Sequence, residues 1–297
     1  MGDKTNKTIF NKRRTAVTRG RRLPWALLCA PLLAGVAGEA LAGFVAYSAA
    51  GQTPADITPT RDAFRAAIGG GTTSAANGDF GGVRREINWD GVPDARSDPN
   101  LLPGNFFNVN SPRGAVFSTP GSGFLVSANS GAGQAILFGF PNDLQTFSAQ
   151  RLFAQVGSNI LDINFFLPGT TTAATTSAFG AVFVDVEDNN SVNATMLEFF
   201  DAAGARIFSQ TAAAAGNQGL SFLGGVADAG ERIGRVRITT PNNFLISNGV
   251  RDNEQIDFVV MDDFIYATPG VLPLPGSLGL SLIGLALLGW RQRVAQA

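Results

Sequence analysis

The run FGAVFVDVEDN, residues 179–189, decides the fold class of this 297-residue chain. Phe179, Ala181 and Phe183 alternate against Val182, Val184 and Val186, the period-two pattern of a β-strand. Both faces of that run are apolar, which places the strand in the middle of a sheet covered on both sides. A little further on, LEFFDAAGARIF (197–208) reads as two strands joined through Asp201-Ala202-Ala203-Gly204, a hairpin. Working outward, similar short runs fall at 85–89, 115–118, 124–128, 135–138, 160–167, 220–224, 233–240 and 256–267. Glycine- and proline-rich turns separate them, so the body is all-β, a β-sandwich or jelly roll. No clean repeat runs through it, which argues against a solenoid or propeller.

The sandwich domain is assigned to 83–269. Ahead of it, 43–82 reads as a linker carrying one short helix near 59–68. Thr58 can cap that helix, Pro59 suits its first position and Gly69 its end. Ala63, Phe64, Ala67 and Ile68 then share one face. Gly69-Gly70-Gly71 and TTSAANGDFGG (72–82) read as a flexible connector.

Composition excludes whole chemistries. With 45% hydrophobic residues the chain is not disordered by composition. It has no histidine, so Ser-His-Asp triads, Cys-His pairs, histidine-bound zinc and histidine bases are absent. Lys4, Lys7 and Lys12 are all its lysines, so nothing beyond residue 12 can form a Schiff base or P-loop contact through lysine. The net charge of −1 is a cancellation. Residues 1–42 carry eight cations against Asp3 and Glu39, whereas 43–290 carry 12 arginines against 21 carboxylates. An acidic, lysine-free body argues against nucleic acid as a partner.

The ends read as targeting segments. Residues 1–42 form a signal peptide: a basic start, an apolar stretch from Leu23 to Ala37, then Ala40-Leu41-Ala42, with signal peptidase expected to cut before Gly43. Arg13-Arg14 and Arg21-Arg22 leave the Sec and twin-arginine export routes both open. Cys29 falls inside the apolar stretch, so the processed chain has no cysteine and no disulfide. At the other end, 270–297 forms a tail with no charge from Val271 to Trp290. Leu272-Pro273-Leu274-Pro275-Gly276 precedes an apolar span, which as a helix is roughly 22 Å long. That is at the short limit for crossing a membrane. Arg291 and Arg293 behind it would hold that end in the cytoplasm.

This tail resembles the PEP-CTERM sorting signals handled by exosortases, in the variant written Val-Pro-Leu-Pro-Ala. Pro273, Leu274 and Pro275 match that variant, and Arg291 and Arg293 follow the apolar span. Leu272 and Gly276 depart from it, and Val294 to Ala297 make the end slightly long. The resemblance implies passage through the envelope of a Gram-negative-type bacterium, transient anchoring by the C-terminal helix and cleavage near Pro275. It also implies association with exopolysaccharide, biofilm or the cell surface. The body, from REINWDGVPD through ERIGRVRIT to DFVVMDDFIYA, resembles a largely uncharacterised β-sandwich module of secreted bacterial proteins.

Three uses of the remaining polar residues are in view. Glu86, Asp90, Asp94, Asp185, Glu187, Asp188, Glu198, Asp262 and Asp263 supply carboxylates for a glycan hydrolase, although nothing in the sequence pairs them. Asp262 and Asp263, with Asp90 and Asp94 from the 88–98 loop, can hold a structural calcium ion. The competing assignment pairs Asp262 and Asp263 with Arg84, Arg85 or Arg237. Adjacent strand residues point to opposite faces, so one of the two aspartates is expected to stay exposed. Asp185 opens a run like a calcium loop, but Asn190 and Met196 stand where an EF-hand needs glycine and glutamate. Trp89 is the best candidate for a glycan platform, against a core tryptophan. The reading that follows is a secreted, exosortase-processed surface protein, structural or adhesive in extracellular polysaccharide and not an enzyme. A carbohydrate-binding module and a carboxylate hydrolase are the alternatives.

Overall fold

The computed structural model describes residues 43–129, 135–188, 194–246, 249–250 and 257–271. The signal and sorting segments lie outside these, with Ala40, Ala42, Pro273, Leu274, Pro275, Arg291 and Arg293.

The first strands are β1 (Phe44–Gly51), β2 (Asp79–Phe80), β3 (Arg84–Ile87), β4 (Ala115–Ser118), β5 (Gly123–Val126), β6 (Phe153–Val156) and β7 (Ile160–Phe165). Then come β8 (Ala178–Val184), β9 (Met196–Phe200), β10 (Arg206–Thr211), β11 (Leu220–Ala227) and β12 (Arg235–Thr239). The last are β13 (Leu245–Ile246), β14 (Gly249–Val250) and β15 (Val260–Ala267). The helices are α1 (Pro54–Ile68) and the single turn α2 (Phe106–Val109).

These strands form the two sheets of a β-sandwich. The larger runs β1-β11-β8-β15-β6-β13-β14, with β3 also on β15, β2 on β3 and β5 on β6. The smaller runs β10-β9-β12-β7-β4. The deciding run is β8, flanked by β11 and β15, and every residue of it is buried. The hairpin expected at 197–208 is β9 and β10. Asp201 Oδ1 closes its turn by accepting from the Ala203 and Ala205 amides at 2.9 and 2.8 Å.

Each face of the larger sheet has its own core. Between the sheets lie Trp89, Phe117, Phe153, Phe179, Phe199 and Phe264 among others. On the outer face, Ile57 and Phe64 of α1 cover Val182, Val184, Phe222 and Ile265. That double cover is why β8 and β15 carry almost no exposed side chain.

The stretch read as a linker belongs to the fold. β1 pairs antiparallel with β11 over eight residues, Phe44↔Ala227 to Gly51↔Leu220. The helix begins at Pro54, earlier than the expected 59. Thr53-Pro54 repeats the cap-then-proline signal of Thr58-Pro59, and Asp56 closes it by accepting from Thr53 N and Oγ1, both at 2.8 Å. The helix ends where Gly69 takes φ 91°, as expected. Phe64 seats α1 on the sheet. Gly180 and Gly224 face each other in the β8–β11 register, and a Cβ on either would lie 3.0 or 2.8 Å from the Phe64 ring. Only two bare backbones let the ring in. The run 135–138 is not a strand: Leu137 and Phe138 take φ 48° and 55°, forming a 3-10 turn. Among the described residues, no helix is long and apolar enough to cross a membrane.

Candidate functional site

An arginine-lined cleft of about 770 Å³ opens where the C-terminal half of α1 meets β2 and β3. Arg61, Arg65, Arg84, Asp62, Ser74 and Phe80 are on its walls. Arg84 is 3% exposed and caps the end of the helix, donating to the carbonyls of Gly69 and, at 2.8 Å, Gly71. A cation suits that position because the last carbonyls of a helix lack partners and carry partial negative charge. Its guanidinium lies 4.3 Å from the Phe80 ring centre. Glu86 bridges the helix to the strand, 2.7 Å from Arg84 Nε and 2.6 Å from Arg65 Nη2. Asp62 takes Arg61 at 2.8 Å and Arg65 at 3.3 Å. Three guanidiniums against two carboxylates leave the cleft net positive on an otherwise acidic body. Sequence reading named Arg84 and Glu86 singly and did not join them to Arg61 and Arg65.

Behind this cleft, the four aspartates expected to hold calcium grip one piece of backbone, Phe147–Arg151. The Phe147 and Ser148 amides donate to Asp262 Oδ2 at 2.7 and 3.2 Å. Asp90 Oδ1 accepts from the Gln150 and Arg151 amides. Asp94 pairs with Arg151, which is 2% exposed and also donates to the Ser127 carbonyl at 2.9 Å. The early loop and the late strand thus meet at this one segment. The aspartates there bind amides and a guanidinium, and among the described residues no three carboxylates converge as metal ligands. Asp262 and Asp263 do not pair with Arg84, Arg85 or Arg237 either.

The expectation that one of Asp262 and Asp263 can stay exposed fails because both faces of β15 are covered. The β15–β8 register shifts between Met261 and Phe264, a bulge that sets two residues opposite one. Both aspartates are buried, and Ser148 Oγ lies 3.0 Å from one and 2.9 Å from the other. A hydroxyl has a single hydrogen to give. Burial, reinforced by the charge of Asp263, holds the Asp262 carboxyl well above the usual range, and burial raises Asp263 too. Both shifts favour the protonated form.

Trp89 is not a surface platform. It is 1% exposed, stacked on Phe153 at 4.0 Å between ring centres, with its indole N–H donating to the Asp262 carbonyl. Its backbone takes the left-handed φ of 65°.

A second acidic corner forms at the end of β8. Asp185 Oδ1 accepts from the Gln218 amide and Asp257 Oδ2 from the Glu187 amide, both at 2.8 Å. Burial, then the charges of Asp257, Glu187 and Asp143, push Asp185 up to about 8. Burial likewise raises Asp257 to about 7.

No protein-family profile matches the chain, and no curated protein matches it. Among solved structures, part of the chain is similar to a histidine mutant of the lectin binding domain of Lectinolysin complexed with Lewis b. The match has 10% identity and a TM-score of 0.23, and covers 49% of this chain and 92% of that one. A likeness of that size carries no argument about fold or ligand.

Proposed function

We propose that this protein is exported, cut before Gly43, sorted through its C-terminal tail by an exosortase and held in extracellular polysaccharide as a structural or adhesive component. One observation supports the reading: among the described residues the first strand begins at Phe44 and the C-terminal end is tied where Gly270 bridges to Thr175. The two cuts expected from the sequence, before Gly43 and near Pro275, fall just beyond those limits. Both cuts would leave every strand described above intact. Intact mass spectrometry of protein recovered from cell surface and medium tests this. The expected termini lie at Gly43 and near Pro275, and a full-length chain retained in the inner membrane would overturn it.

The arginine cleft favours a second reading, a module that binds an acidic polysaccharide. With 12 arginines against 21 carboxylates over residues 43–290, the body as a whole repels polyanions. Affinity for one would have to arise locally, and Arg61, Arg65 and Arg84 supply the local positive charge. Native gels containing a polyuronate should retard the protein, while neutral dextran gels should not. Added salt and the Arg61→Ala, Arg65→Ala double variant should each abolish the retardation. Equal mobility in both polymers would sink this reading.

A further inference from the structure

We infer that cleavage before Gly43 converts a neutral backbone donor into an ammonium group for which the fold already holds a counter-ion, Glu231. This rests on the export reading above. Hydrolysis adds water across the Ala42–Gly43 bond, leaving a carboxylate on Ala42 and an amine on Gly43 that takes up a proton at neutral pH. The nitrogen that gains the charge lies 2.7 Å from Glu231 Oε1. The other Glu231 oxygen accepts from the Ala229 amide at 3.0 Å, which fixes the carboxylate in place. Among the described residues no guanidinium pairs with Glu231. Its neighbour Arg232 turns away to Thr175, donating to Oγ1 at 2.9 Å and to the carbonyl at 2.7 Å.

The surroundings fit a chain terminus that is a glycine. The Gly43 carbonyl accepts from the Asp228 amide at 3.2 Å, so the first residue is tied at both its polar ends. A Cβ at position 43 would lie 2.1 Å from Asp228 Oδ1, so this carboxylate packs directly on the bare Cα. Gly43 leads into Phe44↔Ala227, the first pair of the β1–β11 ladder. A charge-assisted contact is about twice as strong as a neutral one. The cut would therefore tighten the open edge of the larger sheet where cutting a chain usually frays it.

The lysine-free body gives a selective test, because after removal of residues 1–42 the Gly43 α-amine is the sole primary amine left in the chain. The full chain is produced in an exporting host, the processed protein is recovered, and its terminus is sequenced. The rate of acylation by an amine-reactive ester is then followed against pH. Wild type should titrate about one unit above the ordinary α-amino range of roughly 7.7–8.0. Glu231→Gln should bring it back toward the ordinary range and raise the rate at pH 8 about four- to fivefold, with Trp89 fluorescence unchanged as the check on folding. A terminus at Gly43 whose amine titrates normally, whether or not Glu231 is present, overturns the inference alone. A terminus elsewhere overturns the cleavage reading and the inference with it.

Discussion

Trp89→Ala is expected to destabilise the protein by about 3–5 kcal/mol, the usual loss for a fully buried large aromatic. The ring meets Phe153 face to face and Phe107, Phe117 and Phe264 at tilted or edge-on angles, with centres 4.0–5.9 Å apart. These partners come from α2, β4, β6 and β15, so one side chain ties both sheets and the α2 turn together. Its backbone sits in the left-handed region at φ 65°, an unfavourable conformation for a bulky residue that ring packing must outweigh. Alanine keeps that backbone and loses the packing. Its removal also leaves the Asp262 carbonyl without the indole donor. Urea unfolding followed by circular dichroism should show the loss, with the melting temperature lower by about 6–20 °C. Trp89→Phe, which keeps a ring in the slot, should recover much of it. A loss below about 1 kcal/mol in the alanine variant would place the indole outside the load-carrying core.

Asp185→Asn should act in the opposite direction and depend on pH. The folded protein holds the Asp185 proton up to about pH 8, whereas an unfolded aspartate releases it near its ordinary value of 3.8. Between those values the folded state binds more protons, so stability falls as pH rises from about 4 to 8. Asp257, raised to about 7, adds a penalty of the same sign that is complete slightly sooner. Asparagine keeps an oxygen to accept from Gln218 and has no charge to bury. Solvent at this rim screens part of the penalty, so the gain at pH 8 is about 1–2 kcal/mol and close to zero at pH 4. Melting curves across that range test it. The variant should melt about 2–8 °C higher at pH 8, with a flatter pH profile. Parallel profiles for the two proteins would show that Asp185 ionises freely in the folded state.

Those two residues illustrate what could be read along the chain. The valine and phenylalanine alternation of β8 is a local signal, and it put that strand in the centre of a sheet, where it lies. β1 carries no such signal. Ala46, Ser48, Ala49 and Ala50 are poor strand formers, and the segment is a strand because β11 offers eight partners in register. The arginine cleft was illegible for the same reason. Arg65 reaches Glu86 and Arg84, and Arg61 joins the same cleft, only because Phe64 enters the Gly180–Gly224 seat, a fit between three distant segments. At Asp262 and Asp263 the alternation rule could not tell that both faces of β15 are covered, nor that a bulge shifts its register there.

The position of β15 sets the order in which this protein can become stable. It is the last strand of the described chain, yet it pairs with β8, β6 and β3 inside the larger sheet. Most of its neighbours are therefore made long before it, and β8 waits with one edge open. A fragment ending before Val260 would leave Phe179, Phe183 and Trp89 without the Met261, Phe264 and Tyr266 side chains that close the core. A chain emerging from a ribosome or a narrow pore, N-terminus first, cannot lock this core until β15 has cleared. The sandwich is in that sense a latch whose bolt, β15, is made after the strands it closes upon: the chain up to residue 259 stays threadable, and the core shuts once Val260–Ala267 have been delivered.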